Sequence, residues 1–330
     1  MNKLKEEIVR KLASAFSEDE LVPTNQTTEW PKSFKCEDGE DMFGTLKRIF
    51  GLSESARGLF EAATSGDGNE KPRILTRHSS SLLAFLCFND VANNPIKIKG
   101  TVYNEVMFEV KNNVINNSPG KSNIDVLLMG ENRKKLLFLE SKFTEYLSGG
   151  KVTLSPHRYK EFYSKLTKKF DCPFSAGYVT VNSKTDKSQK TQYALYKGKK
   201  TSLFLDGIKQ AFSHLLGIAT GPAKNQTKGN EDYTRSLLEN ADEIKFASIV
   251  FNCDNKKFDD YKILYESVFE NSDLIKDTIK DVLKKRELKL TIISELLEYQ
   301  DVFQANNLSD EVRNFYNKVN DSKIRFSNGK

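Results

Sequence analysis

The chain has 330 residues, 38% of them hydrophobic and 29% charged, with a formal net charge of +6. That length and balance mark a globular, soluble chain able to bury a sizeable core, and the mild positive charge suits a polyanionic partner without demanding one. No apolar run approaches the ~18 residues of a membrane-spanning helix, so no membrane partner is expected. Cys36, Cys87, Cys172 and Cys253 stand far apart with no CxxC pair, which argues against a zinc site of the usual spacing. The stretch MNKLKEEIVRKLASAF is amphipathic and charged rather than a signal peptide. The expectation is therefore a cytoplasmic protein with reduced thiols.

Residues 3–16 place Leu4, Ile8, Leu12 and Ala15 at helical spacing. Residues 21–40, with Pro23, Pro31 and Gly39, read as an irregular connection that docks Trp30 on the core. Helical spacing returns over 41–63 (Met42, Leu46, Ile49, Phe50, Leu59, Phe60), broken near Gly51, and a loop follows to Pro72. The stretch 74–92 is the most apolar helix, ended by Pro95 to Gly100. Residues 102–110 alternate as one strand, with Tyr103, Glu105, Met107 and Glu109 on one face.

Two apolar runs come next, Ile124 to Met129 and Leu136 to Leu139, around the polar turn Gly130 to Lys135. This is the pattern of an antiparallel hairpin. A helix is expected from Ser155 and Pro156 to about Phe170, with Pro156 tolerated in its first turn. A β-branched and aromatic strand, 174–181, follows it. From 74 to 181 the order is thus helix, three antiparallel strands, helix, strand. Residues 182–200 read as a lysine-rich loop, 203–218 as an apolar-faced helix, 221–230 as a second polar loop and 244–251 as a further strand. From 259 onward the chain reads as helical, roughly over 259–270, 273–285, 289–304 and 309–319. No linker cuts the chain into two domains. The expectation is one α/β domain over 1–330, its core at about 74–251 and helical extensions at 1–73 and 252–330.

The hairpin carries charge at one end. Asp125 opens its first strand; Glu140 and Lys142 close its second. Residues two apart on a strand share a face, about 7 Å apart along it, so Glu140 and Lys142 point together and Asp125 reaches them from the neighbouring strand. Two carboxylates held ~4 Å apart repel by about 1 kcal/mol in water and by more where water is scarce. A divalent cation between them reverses that sign. Mg²⁺ is bound by one or two carboxylates plus waters and substrate phosphate, polarises a phosphodiester and lowers the pKa of a bound water. A nearby ammonium orients that water or stabilises the developing charge.

Asp125, fourteen intervening residues, then Glu140, Ser141 and Lys142, on adjacent strands of an αβββαβ order, resembles the PD-(D/E)xK nuclease superfamily with its restriction-endonuclease-like core. Arg77, His78 and three serines before the helix ending at Cys87, Phe88 and Asn89 are similar to the helix that precedes the core in an uncharacterised bacterial branch. Glu140-Ser141-Lys142-Phe143-Thr144-Glu145 resembles the ExKxTE form of the motif. Lys209 and Gln210, followed by His214 to Gly217, resemble a later helix. The likeness covers about residues 74–220. It departs in lacking the proline before the first acid, where this chain has Ile124.

The resemblance implies an α/β fold with a mixed sheet. It also implies a metal-dependent (endo)nuclease, a phosphodiester hydrolase that uses Mg²⁺ or Mn²⁺. Asp125, Glu140 and the Ser141 carbonyl would hold the metal and Lys142 would be the catalytic lysine. An upstream glutamate would complete the shell, with Glu109 favoured over Glu105. Glu145, Tyr159 and Gln210 are accessory candidates. Lys184, Lys187, Lys190 and Lys199 are candidates for backbone contacts to nucleic acid, DNA before RNA.

Each feature also has a plainer reading. The three charges make a salt bridge at a strand end, Glu105 and Glu109 line a solvated face, and the lysines are solvated. Glu145 serves helix entry, and the scattered histidines His78, His157 and His214 are ordinary residues. The alternative function is a catalytically inactive nuclease-fold protein that binds nucleic acid or another protein, and self-association through the C-terminal helices as a homodimer is a further one.

Overall fold

The computed structural model describes residues 3–16, 21–22, 33–65, 73–113, 121–147, 174–180, 190–196, 199–200, 204–220, 230–270, 273, 289–306 and 308–320. In chain order the elements are α1 (Lys3–Ala13), β1 (Leu21–Val22), β2 (Ser33–Phe34), α2 (Met42–Phe50), α3 (Arg57–Ala63), α4 (Ser80–Phe88), β3 (Ile96–Ile98), β4 (Thr101–Tyr103), β5 (Glu105–Asn113), β6 (Lys121–Gly130) and β7 (Lys135–Lys142). They continue with β8 (Phe174–Thr180), β9 (Lys190–Tyr196), β10 (Lys199–Lys200), α5 (Leu205–Thr220), α6 (Asn230–Asn240), β11 (Glu243–Val250), α7 (Lys256–Phe269), β12 (Leu290–Ile292), β13 (Leu297–Glu298), α8 (Tyr299–Ala305) and α9 (Asp310–Asn317). No helix among the described residues is long and apolar enough to cross a membrane.

The central sheet is mixed. Its order is β12-β11-β7-β6-β5, and β13 continues the β12 edge beside β11. Strands β5, β6 and β7 run antiparallel, while β11 lies parallel to β7 from Glu243↔Lys135 to Val250↔Lys142. Leu136 to Leu139 are fully buried, as expected for strands covered on both faces. One face takes α4, apolar all round and buried from Leu82 to Phe88. Its ends are set locally: the Ser79 hydroxyl accepts from Leu82 N, and the Asn89 amide donates to the Phe85 and Leu86 carbonyls. The opposite face takes α5. Ser141 Oγ donates to the Ser80 carbonyl on α4 at 3.1 Å, whereas Glu140 meets His214 of α5. Successive strand residues point to opposite faces, so the two helices sandwich the sheet.

Close approach matters at Gly130. A Cβ there would lie 2.2 Å from the Val102 carbonyl oxygen, where β4 crosses the end of β6. The N- and C-terminal helices share one aromatic cluster, with Phe34 packed on Phe16, Phe50 and Phe315 at centroid distances of 5.0–5.8 Å.

Several sequence expectations change. The fourth strand of the central sheet is β11, not 174–181. Strand β8 instead joins β9 and β10 in a separate antiparallel sheet. Strand β9 follows β8 closely enough to pair with it as an antiparallel neighbour, and β7 takes its parallel partner through a crossover that includes α5 and α6. Residues 190–196 and 199–200 are strands rather than loop. The β-prone run from Thr191 to Tyr196 outweighs its flanking lysines. Residues 289–304 are not one helix: Leu290 and Ile292 alternate with exposed Thr291 and pair with the open edge of β11, and helix resumes only at Tyr299. The strand expected over 102–110 is two strands separated at Asn104, and the 74–92 helix is confined to α4. Trp30 and the expected helix over 155–170 fall outside the described residues, as does the expected helix over 273–285 apart from residue 273.

Candidate active site

The sheet register assembles the site. Val126↔Leu139 is the last bonded pair between β6 and β7, so Asp125 and Glu140 stand one step beyond it, side by side. On the other side of β6, Phe108↔Val126 and Val110↔Ile124 bracket Glu109 opposite Asp125. On β11, Ser248 pairs with Glu140. Glu109, Asp125, Glu140 and Ser248 therefore form one lateral row across four strands. Glu109 adopts φ +53°, a left-handed conformation uncommon for any residue but glycine, and this interrupts the ladder at that point. Lys142, two residues beyond Glu140, joins the same face.

The contacts are dense. Lys142 Nζ donates to Glu140 Oε1 and, at 3.2 Å, to the Ser141 carbonyl. The Asp125 carboxylate accepts from Ser141 N at 2.6 Å. On the far side of the strand, Ser141 Oγ is 2.7 Å from Tyr299 Oη. His214 Nε2 approaches Glu140 Oε2 to 2.7 Å, and its Nδ1 contacts Ser122 Oγ. Glu140, Lys142 and His214 are all buried.

The electrostatics divide the two acids. Burial, then the Glu140 charge, pushes Asp125 well above the usual carboxylate range, with Glu109 adding to the effect and Lys142 opposing it. Burial also pushes Glu140 up. There the interactions with His214 and then with Lys142 outweigh it, and the carboxyl is held at about 2. Burial lowers Lys142, but Glu140 and Asp125 more than restore it, so the ammonium stays charged far above its ordinary value. Two neighbouring acids with pKa values driven apart are a pattern of acid–base and metal sites, and structural ion pairs produce it too.

Asp125, Glu140, Lys142 and Ser141 come together, and Glu109 joins them. Glu105 does not. It pairs with Met129 at the opposite end of β5 and binds Arg133 at 2.8 Å, four residues or roughly 13 Å of strand away. Glu145 opens a short 3₁₀ turn and accepts from Phe143 N at 2.7 Å. The α5 side chain that meets Glu140 is His214, one turn beyond Gln210. Sequence reasoning passed over it as ordinary, although a histidine between Phe212 and Leu215 on a helix buried from Ala211 to Ala219 was a signal. Tyr159, Lys184 and Lys187 lie outside the described residues. Lys190 opens β9 and Lys199 lies in β10.

Among the described residues, no three histidine, cysteine or acidic side chains stand close enough to form a ready metal cage. Mg²⁺ does not need one, since one or two carboxylates suffice beside water and phosphate. No family model, no curated protein and no solved structure matches this chain.

Proposed function

We propose that this chain is a metal-dependent nuclease of the restriction-endonuclease-like type, hydrolysing phosphodiester bonds of DNA with a metal-activated water. The observation that carries the reading is the convergence of Asp125, Glu140 and Lys142 at one end of β6 and β7, in a buried site with more acid than its packing rewards. Asp125 and Glu140 would hold Mg²⁺ or Mn²⁺, which when bound supplies Lewis-acid polarisation and an acidified water. Lys142, kept charged by its two acids, is suited to orient that water and to stabilise charge on the phosphate. Ser141 N fixes the Asp125 carboxylate, so that the two acids cannot separate. The β8–β10 sheet, bearing Lys190 and Lys199, is the proposed contact for the nucleic-acid backbone.

The test is cleavage of single- and double-stranded DNA with Mg²⁺ or Mn²⁺ by the wild type and by Lys142→Ala. Loss of the lysine should lower the rate by about 10²–10³-fold. No cleavage of any nucleic acid by the wild type removes the enzyme claim. A second reading, an inactive nuclease-fold binder, is favoured by one observation: Lys142 occupies both Glu140 Oε1 and the Ser141 carbonyl. Its mark is salt-dependent DNA binding that needs no metal.

A further inference from the structure

Tyr146, Tyr261 and Tyr265 pack against one another beside the β7–β11 pair, and two of them engage the backbone through their hydroxyls. Tyr146 Oη donates to the Phe251 carbonyl and accepts from Cys253 N, both at 3.0 Å. Tyr265 Oη accepts from Ser248 N at 3.1 Å. Tyr261 is 1% exposed, and its hydroxyl has no hydrogen-bond partner. Phenylalanine would fill the same space without burying an unpaired polar group, which is costly.

Helix α7 places that hydroxyl beside Lys142. Tyr265 sits level with Ser248, the β11 partner of Glu140. Tyr261 lies four residues earlier, about 6 Å along the helix. Val250, the β11 partner of Lys142, lies two residues beyond Ser248, about 6.6 Å along the strand. Tyr146, four residues past Lys142, stacks on Tyr261 with ring centroids 6.3 Å apart and planes 5° apart, so both steps run in the same direction. The hydroxyl points at α5, where Gly207 leaves room for it: a Cβ there would lie 2.6 Å from Tyr261 Oη. Burial pushes the phenol pKa up, with Lys142 opposing and Tyr265 and Glu140 adding to the rise, so both members of the buried ion pair act on this hydroxyl. Ser248 Oγ, also buried and without a hydrogen-bond partner, lies next to it.

An ammonium carries three N–H donors. Glu140 Oε1 and the Ser141 carbonyl take two of those on Lys142. Held at two points, the ammonium can still swing; held at three, it cannot. We infer that Tyr261 is a positioning residue for Lys142: after a small side-chain rotation its hydroxyl accepts the third N–H, donates its own proton to Ser248 Oγ, and so fixes the direction in which the ammonium faces substrate. The role rests on the reading of Lys142 as the lysine of a phosphodiester hydrolase; the contact itself does not.

The experiment compares the full-length wild type with Tyr261→Phe, which removes the hydroxyl and keeps the ring. Lys142 is the only lysine buried among the described residues, so in proton–nitrogen spectra its ammonium should give a slowly exchanging signal apart from those of exposed lysines. Tyr261→Phe should shift that signal and speed its exchange with water about 10-fold, the loss expected for one hydrogen bond to a charged group. With DNA as substrate, kcat should fall about 10-fold at unchanged KM, because the placement of the lysine changes and substrate binding does not. Tyr316→Phe is the control. It also removes a buried hydroxyl without a partner, beside Phe143 rather than Lys142, and should move neither reading. The proposal is overturned by a wild type without a slowly exchanging ammonium signal, by a signal that Tyr261→Phe leaves in place, or by Tyr316→Phe moving it equally. A Tyr261→Phe that does not fold assigns the hydroxyl to structure and overturns it too, as does a moved signal with kcat unchanged. If the signal moves but the wild type cuts no nucleic acid, the contact stands and the nuclease reading alone fails. Intact cleavage with an unmoved signal removes the role of Tyr261 and leaves the nuclease reading standing.

Discussion

Asp125→Asn should make the metal-free protein more stable. The substitution keeps an oxygen to accept from Ser141 N but removes a charge that burial, Glu140 and Glu109 all oppose. Asp125 and Glu140 stand side by side on adjacent antiparallel strands, where Cβ atoms are roughly 5 Å apart. At an effective dielectric of about 20, two charges at that distance cost about 3 kcal/mol. Attraction to Lys142 offsets part of this, so the expected gain is about 1–3 kcal/mol. The pH dependence fixes the sign. The folded pKa of Asp125 lies above its unfolded value, so the folded state keeps a proton that the unfolded state has released. Wild-type stability therefore falls as pH rises from about 4 through the folded value, and the penalty is full above it. Urea unfolding in a chelator, followed by circular dichroism, should show the Asn variant ahead at pH 8 and level with the wild type near pH 4. Adding Mn²⁺ at 100 times its dissociation constant should stabilise the wild type by about 2.7 kcal/mol and the variant by much less, reversing the order. An Asn variant less stable than the wild type at pH 8 in chelator would refute the reasoning.

Glu40 is held at about 2, first by its hydrogen bond from Arg48, with burial opposing and the Glu37 amide and Thr45 hydroxyl assisting. Its contribution is present above pH 4.5 and lost as pH falls toward 2, so Glu40→Gln should cost about 1 kcal/mol at pH 7 after allowing for solvent screening, and nothing at pH 2. Equal urea midpoints at pH 7 would refute this. Gly130→Ala forces a methyl to 2.2 Å from the Val102 carbonyl oxygen, which is backbone and cannot swing away. A loss of about 3 kcal/mol is expected from overpacking, and a thermal midpoint unchanged within error would contradict it.

What was legible in the sequence was local. The β6–β7 hairpin announces itself by two apolar runs around a polar turn, and period two then places Glu140 and Lys142 on one face beside Asp125. The choice between Glu105 and Glu109 needed the β5–β6 register, set by Phe108↔Val126, which nothing in the intervening residues reveals. The partner of β7 was hidden for a related reason. Strand β11 pairs in parallel across a separation of more than a hundred residues, while β8 reads as an equally good strand and follows sooner. His214 was missed because an apolar helix hides its polar member: the same burial that makes Ile208, Leu215 and Ile218 core residues makes a histidine among them look incidental.

The charge balance of the row separates a site from a structural ion pair. Glu140 and Lys142 alone would form a closed buried pair. Such pairs contribute little net stability, because desolvation consumes most of the Coulomb gain. Here Asp125 and Glu109 are added on adjacent strands, and both raise the cost of ionising the cluster. Removing Lys142 would destabilise the protein under any reading, since it strands Glu140 in the interior. Removing an acid is the sharper test. A gain in stability from Asp125→Asn is expected only where a carboxylate is held against its own packing, and the proposed cation would be the physical reason to hold it there.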